Sequence, residues 1–530
     1  MILRIASKEL FHNMSTSRFI TGFLLCLLLI PFPIIISINE YRSKVSMYET
    51  EQKQVDDKNI VKVYSAYRPV IVKKPGPLSI FARGVSYNLG NQVKILFSDI
   101  PMMSEGKAES RDNPFLNRFF TFDFISVLII IISLMAFLFT YDICTWERET
   151  GTLKMMLANP VSRASVLAGK MLGTFFTLLP MLLFSYGLCI LVIMFYPDIH
   201  FTSSEWLRIG LIFLLSMVFL VLFMVIGLFV SSRVRHSGTG IVICLVLWIT
   251  FLFIVPNLAN YSAKSFVKVG SVENLEFNIK ELNDEYLKKT EEYEKKLPGA
   301  DWDMQWNTRW DSRDGFNIIG GASKSSFEKI KLKNEFTEPL RVDYADKKWS
   351  FRKAYITKLE KQQNFARYLS FLSPSEIFKE SVNGLCATNA ESHYNFLDQT
   401  RRYREELIHY YKEKKLFSSY LYFTQQDPKN FMTVDEIVNY LTKGELKSFA
   451  EVEAHKDPFY FFGKTKNSFP NSNIDEWKSI DLSQFPKFNY RPAKVLNDIH
   501  HSLLHIGVLF ALALALFYFS YKSFIRYDVR

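Results

Sequence analysis

Six predominantly apolar runs, at residues 19–38, 119–141, 171–196, 207–230, 240–256 and 503–521, constrain this chain more than any other feature. About 20 apolar residues, rising about 1.5 Å each in a helix, cross a hydrocarbon core of about 30 Å. In that medium every backbone N–H and C=O must be paired internally, so each run is expected to be a transmembrane helix. The mean hydropathy of the whole chain is only +0.04. Much of the remainder must therefore fold in water. The first run follows a basic amphipathic stretch, as in a signal peptide, but its apolar core is too long and no small-residue cleavage site follows it. It reads as a retained span.

Lys and Arg beside the span ends set the orientation. Residues 1–18, 142–170, 231–237 and 522–530 carry net charges of +2, +1, +2 and +2, together +7 of the chain's +11. The turn at 197–206 holds Asp198 and Glu205 and no Lys or Arg. The four basic segments, with both termini, are expected on the cytoplasmic side. Residues 39–118 and 257–496, roughly 80 and roughly 240 long, then face outward. Topology and anionic inner-leaflet lipid account for the basic balance, so nucleic acid is not needed. Of five cysteines only Cys386 falls in an outward segment, which precludes an intrachain bridge there. A segment of that length can supply its own core.

Residues 1–18 alternate Ile2, Leu3, Ile5, Leu10 and Phe11 with Arg4, Lys8 and Arg18, a pattern for a helix lying in the membrane interface. Residues 39–118 contain Pro69, Pro75, Gly76 and Pro77 beside β-favouring pieces, and short strands with loops are expected. Leu275, Ile279, Leu282, Tyr286, Tyr293 and Leu297 recur at helical spacing over 274–297 before Pro298-Gly299. Further helices are expected over 339–369, from Ser373-Pro374-Ser375-Glu376 onward, and over 391–414. Beyond Gln425, loops and a few strands are expected.

Between the second and third runs lies Trp146-Glu147-Arg148-Glu149-Thr150-Gly151-Thr152-Leu153, followed by Asn159-Pro160-Val161-Ser162-Arg163 and Gly169-Lys170. Gly151 and Pro160 are expected to set turns at either end of a short helix. Glu147 and Glu149 can pair with basic groups on a docked subunit, and Arg163 and Lys170 can face acidic groups or lipid phosphates. This stretch resembles the cytoplasmic coupling segment of ABC-2 type exporter permeases, which runs Glu-x-x-x-Gly-Thr-Leu, then Pro-x-x-Arg, then Gly-Lys into the next span. The likeness covers residues 1–38, 119–256 and 500–530. The large insertions look like a bacterial subgroup that includes gliding-motility permeases and the permease serving nitrous-oxide-reductase maturation, and segments 369–375, 381–387 and Tyr394-Asn395-Phe396 follow its pattern.

The resemblance implies a polytopic α-helical membrane protein of ABC-2 exporter type. It has an elbow helix (1–18), a first span (19–38), an insertion (39–118), spans two to five (119–256) around a coupling segment (142–170), a large and mainly helical extracytoplasmic domain (257–496), and a last span with its tail (497–530). It implies a permease in a bacterial inner membrane that couples ATP hydrolysis by a separate cytoplasmic ATPase to outward transport. ATP and magnesium belong to that partner, and this chain needs no cofactor of its own. Two permeases pair, as a homodimer or a heterodimer, in contact with membrane lipid. The coupling residues it implies are Glu147, Glu149, Gly151, Thr152, Leu153, Pro160, Arg163 and Lys170.

The remaining motifs carry little chemistry. Gly463-Lys464-Thr465 ends like a phosphate-binding loop, but Pro458 stands where its first glycine is needed. Asp498, His501 and His505 share one helical face, yet no further ligand accompanies them, and no metal site is assigned. Trp302, Trp306 and Trp310 form a stripe that either packs on a neighbouring helix or holds an acyl chain or glycan. Asp123 lies about one turn inside the second run, either on a pathway or hydrogen-bonded at the interface. Hydrolase signatures are lacking, no catalytic residue is assigned, and the chain is not expected to be an enzyme. The size of the second insertion raises an alternative: a mechanotransmitter that moves its extracytoplasmic domain against a periplasmic partner without translocating anything.

Overall fold

The computed structural model describes residues 2–58, 61–85, 89–104, 122–152, 162–298, 308–311, 316–319, 323–454, 477–491 and 495–525. In chain order its main elements are α1 (Ile2–Met14), α2 (Ser17–Leu29), α3 (Pro31–Lys58), β1 (Val70–Val72), β2 (Gln92–Lys94), α4 (Phe124–Thr140), α5 (Thr145–Glu149), α6 (Arg163–Met194) and α7 (Ser203–Arg233). There follow α8 (Ser237–Ile249), a π turn (Thr250–Ile254), α9 (Val255–Phe266), α10 (Val272–Glu294), β3 (Thr308–Asp311), β4 (Phe316–Ile319), α11 (Lys324–Ser370), α12 (Pro374–Leu385), α13 (Ala390–Glu413), α14 (Val434–Leu441), α15 (Phe449–Glu453) and α16 (Val495–Ile525).

All six apolar runs form helices long and apolar enough to cross a membrane: Ser17–Thr50, Phe124–Glu149, Arg163–Met194, Ser203–Arg233, Ser237–Phe266 and Leu504–Phe524. The protein is a polytopic helical membrane protein. Several helix starts carry side-chain acceptors. Asp123 caps α4, accepting from the Ser126 N–H at 2.9 Å, and also accepts from the Arg83 N–H at 3.0 Å. Ser162 caps α6, and Thr202 with Glu205 forms a capping box at α7. The first span outruns its apolar run, because α3 continues to Lys58 through charged residues of good helix propensity. Only beyond it do β1 and β2 form the short antiparallel pair, with Ile71 opposite Val93.

The two insertions form one body. Arg404 of α13, fully buried, donates to the carbonyls of Leu96 at 2.8 Å and Phe97 at 2.6 Å, and Tyr411 donates to Tyr64 O at 2.8 Å. Around them Tyr67, Ile71, Val93 and Ile95 of the first insertion share a core with Phe396, Tyr403, Leu407 and Phe417 of the second. α11 starts 15 residues before the expected Pro339 and accommodates that proline in its interior, running 47 residues, about 70 Å. α10 packs along it through stacked rings of Tyr293 and Phe336, centroids 3.9 Å apart, and a 2.6 Å hydrogen bond from Tyr344 Oη to Glu285. After Gln425 the described residues form α14 and α15 in place of the expected strands. Gly463-Lys464-Thr465, Trp302 and Trp306 lie outside the described residues, as do the side chains of Trp310, Asp498 and His501. His505 Nδ1 sits 3.1 Å from Ser381 Oγ.

The body is anchored in the bundle by α12, and the anchor has a backbone cause. In the π turn the Val255 N–H bonds to Thr250 O, one residue farther back than in an α-helix. The Phe251 carbonyl thereby loses Val255, and Pro256, next in line, has no N–H. Ser373 and Ser375 supply the missing donors, their hydroxyls reaching Phe251 O at 2.5 and 2.9 Å. From there α12 runs along α7, with Phe378 stacked on Phe219 at 4.6 Å, and its last turn is capped by Arg208, which donates to Leu385 O at 2.8 Å. Replacing both Ser373 and Ser375 by alanine leaves an unpaired carbonyl at membrane depth, at a cost of about 1–3 kcal/mol. Adding Pro256→Ala, which restores an N–H, is expected to recover part of that loss in thermal unfolding of the purified protein; no recovery would contradict this origin of the anchor.

Candidate functional site: the coupling hub

At the end of the bundle where α1 lies and α16 ends, α5 follows the second span after a tight turn held by the Cys144 N–H on Ser231 Oγ at 3.0 Å. Three consecutive residues of α5 then serve three different helices. Glu147 Oε1 lies 2.7 Å from Lys170 Nζ on α6, and the same ammonium lies 3.4 Å from Glu9 Oε2 on α1. Arg148 forks onto the last carbonyls of the fourth span, Val234 O at 3.0 Å and Ser232 O at 2.9 Å. Glu149 accepts from both the N–H and the hydroxyl of Ser237 at 2.8 Å, capping the start of the fifth span. A cation at a helix C-terminus and an anion at a helix N-terminus each complement the helix dipole. α5 therefore staples the turn between spans four and five.

The Lys170 ammonium is reached because α1 lies directly on α6. A Cβ at Gly169 would stand 2.8 Å from Ile5 Cβ, and one at Gly173 would stand 2.6 Å from Glu9 Cβ and 2.7 Å from Ala6 O. The small-x-x-x-small spacing lets the two backbones touch, as it does between transmembrane helices. Lys170 is 6 % exposed, and its two carboxylate partners are largely covered as well. Arg163, at the start of α6, donates to Phe524 O at 3.4 Å in the last turn of the sixth span. Arg18 joins Asp142 at 2.8 Å, tying the first span to the end of the second.

Gly151 takes φ of +74° with open space around its Cβ position, so it is the left-handed turn itself that favours glycine. Thr152 Oγ1 turns back to Thr150 Oγ1 at 2.9 Å. Leu153 and Pro160 lie outside the described residues. Glu147 and Lys170, expected to reach for other molecules, meet each other within the chain, and Glu149 engages Ser237. The surface open at α5 comprises Trp146, 57 % exposed, together with Glu149, Thr150, Gly151 and Thr152. Glu9 and Arg148 were not singled out from the sequence. Their signal was the complementary charge of Lys170 and the two helix ends that had to be capped.

A second feature lies at the opposite end. A cavity of about 130 Å³ opens between the first two turns of α4, the π turn and start of α9, the end of α11, and α12. Ile129, Leu252 and Pro256 line one side, and Arg367, Glu376, Lys379 and Glu380 line the other.

The fold and the hub define a polytopic helical membrane protein in which a short polar helix ties together the ends of the spans. A family model, ABC-2 family transporter protein, matches residues 3–434. The chain belongs to that family. No curated protein matches it. Family membership identifies the chain as a transporter membrane subunit.

Lys170→Met would strand Glu9 and Glu147 beside each other in a covered site, and loss of one partner from a buried pair costs about 3–5 kcal/mol. The variant should unfold at lower temperature, with partial recovery when Glu9 and Glu147 are both changed to Gln. An unchanged melting temperature for Lys170→Met would show that the clasp contributes nothing.

Proposed function

We propose that the chain is the permease subunit of an ABC exporter, driven by a separate ATPase that binds ATP and magnesium and docks at the end of the bundle carrying the termini. The basic segments 1–18, 142–170, 231–237 and 522–530 support placing that end in the cytoplasm of a bacterium, with the two insertions on the outside of its inner membrane. Two such permeases, identical or different, would form the unit. The observation that carries the reading is the three-way attachment of α5. A push on this one short helix reaches α1 and α6 through Glu147 and Lys170, and the turn between spans four and five through Arg148 and Glu149. Gly151, Thr152, Leu153, Pro160 and Arg163 would frame the projection, and Trp146 with Thr150 and Thr152 would meet the ATPase.

The alternative, movement of the insertion body against a periplasmic partner without passage of cargo, is favoured by one observation. α11 runs unbroken from the bundle for about 70 Å, which suits a lever. Vectorial movement of cargo in sealed proteoliposomes supports export, whereas stimulation of ATP hydrolysis by an envelope partner without movement supports the lever.

The test of docking is affinity purification of the tagged chain in gentle detergent. A Walker-motif ATPase should co-purify. Trp146→Glu should release it by about thirtyfold, as loss of a central aromatic anchor worth about 2 kcal/mol requires, while leaving thermal stability unchanged. Finding no ATPase with the unaltered chain would overturn the reading.

A further inference from the structure

The cavity beside the π turn combines three properties. Its depth is that of a lipid's polar region: Ser126, Ile129 and Ile130 belong to the first two turns of the second span, so the floor lies within about 10 Å of that span's end. Its size, about 130 Å³, holds on the order of ten waters, which suits a head group and excludes an oligosaccharide or a folded segment. Its charge is balanced. Arg367 and Lys379 face the cavity with Glu376 and Glu380, all four only partly exposed; Arg367 and Lys379 act on the Glu380 charge, but no close ion pair among the described residues holds any of the four. Nε of Arg367 is buried and has no hydrogen-bond partner. Half-covered charges at the edge of a membrane are costly unless something completes them.

The apolar surroundings are also exposed. Phe253, Ile254 and Leu258 on the fifth span, and Tyr368 and Leu372 at the turn between α11 and α12, present large side chains next to the cavity. A ligand that fits all of this has a compact head bearing both signs of charge and an apolar tail.

We propose that this cavity binds the head group of a zwitterionic phospholipid-type amphiphile. Its phosphate is received by Arg367 and Lys379 and its amine by Glu376 and Glu380, while its chains lie along the exposed side of the fifth span. The role of this amphiphile as cargo rests on the exporter reading; its binding does not. The serine hydroxyls of Ser373 and Ser375 hold the α12 start against the π turn, so the charged and apolar walls keep their spacing.

The test is native mass spectrometry of the purified full-length chain, without any ATPase, titrated with phosphatidylethanolamine, phosphatidylglycerol and diacylglycerol. Phosphatidylethanolamine should be retained in preference to both. Arg367→Gln and Glu380→Gln should each weaken that retention about tenfold, the loss of one charge-assisted hydrogen bond. If either variant melts at lower temperature, Ile130→Trp, which fills the cavity without touching a charge, replaces it and should give the same loss. Equal retention of phosphatidylglycerol, or retention indifferent to the variants, would mean ordinary annular lipid and would overturn the proposal. Failure here leaves ATPase docking untouched, and failure to find an ATPase leaves the binding result standing.

Discussion

A carbonyl inside a membrane must have a donor, and in this protein the Phe251 carbonyl has none from its own helix. Pro256 cannot supply an N–H, and the π turn has moved Val255 to Thr250. The hydroxyls of Ser373 and Ser375 meet that need from another part of the chain. The contact fixes where the turn between α11 and α12 enters the bundle, and so where the whole insertion body stands. It also shapes the cavity, since Leu252, Pro256 and Ser375 all line it.

The opposite end of the bundle obeys the same logic with charges. Lys170 is held in a nearly dry position by carboxylates from two other elements, Glu9 and Glu147, and a covered ion is tolerated only when its partners are in place. Arg148 and Glu149 satisfy the end of one span and the start of the next. Both ends of the membrane region are thus closed by contacts between segments distant in sequence, and rigid helices of about 45 Å connect them. A displacement of α5 cannot stay local, because its side chains are the caps and counter-ions of neighbouring helices.

The six spans were legible because apolar length alone identifies a membrane crossing, and the left-handed turn at Gly151 because glycine favours that conformation. The helices α10, α12 and α13 were legible from periodicity and, for α12, from the proline in its first turn, whereas the Ser373 hydroxyl makes no cap bond and goes to Phe251 O instead. The direction in which Glu147 and Lys170 point was not legible, since it depends on α1 lying against Gly169 and Gly173, and their small-x-x-x-small spacing marks a close helix contact without naming the partner. The early start of α11 was hidden by Pro339, which ordinarily marks a boundary but here lies inside a long helix. The union of the two insertions was equally hidden: Arg404 looks like a solvated helix charge until the Leu96 and Phe97 carbonyls are placed beside it. The π turn did leave a trace, a proline closing an apolar run together with the Ser-Pro-Ser at 373–375.

The central claim is that α5 receives the force of a cytoplasmic ATPase. Its most direct test is a photo-crosslinking residue placed at Thr150 in cells, with a second at Leu421 on the insertion body as the control. The account predicts that Thr150 captures a Walker-motif ATPase and is shielded from membrane-impermeant reagents added outside, while Leu421 captures no ATPase and is reached by them. Capture of the ATPase from Leu421, or labelling of Thr150 from outside, would contradict both the orientation and the coupling role.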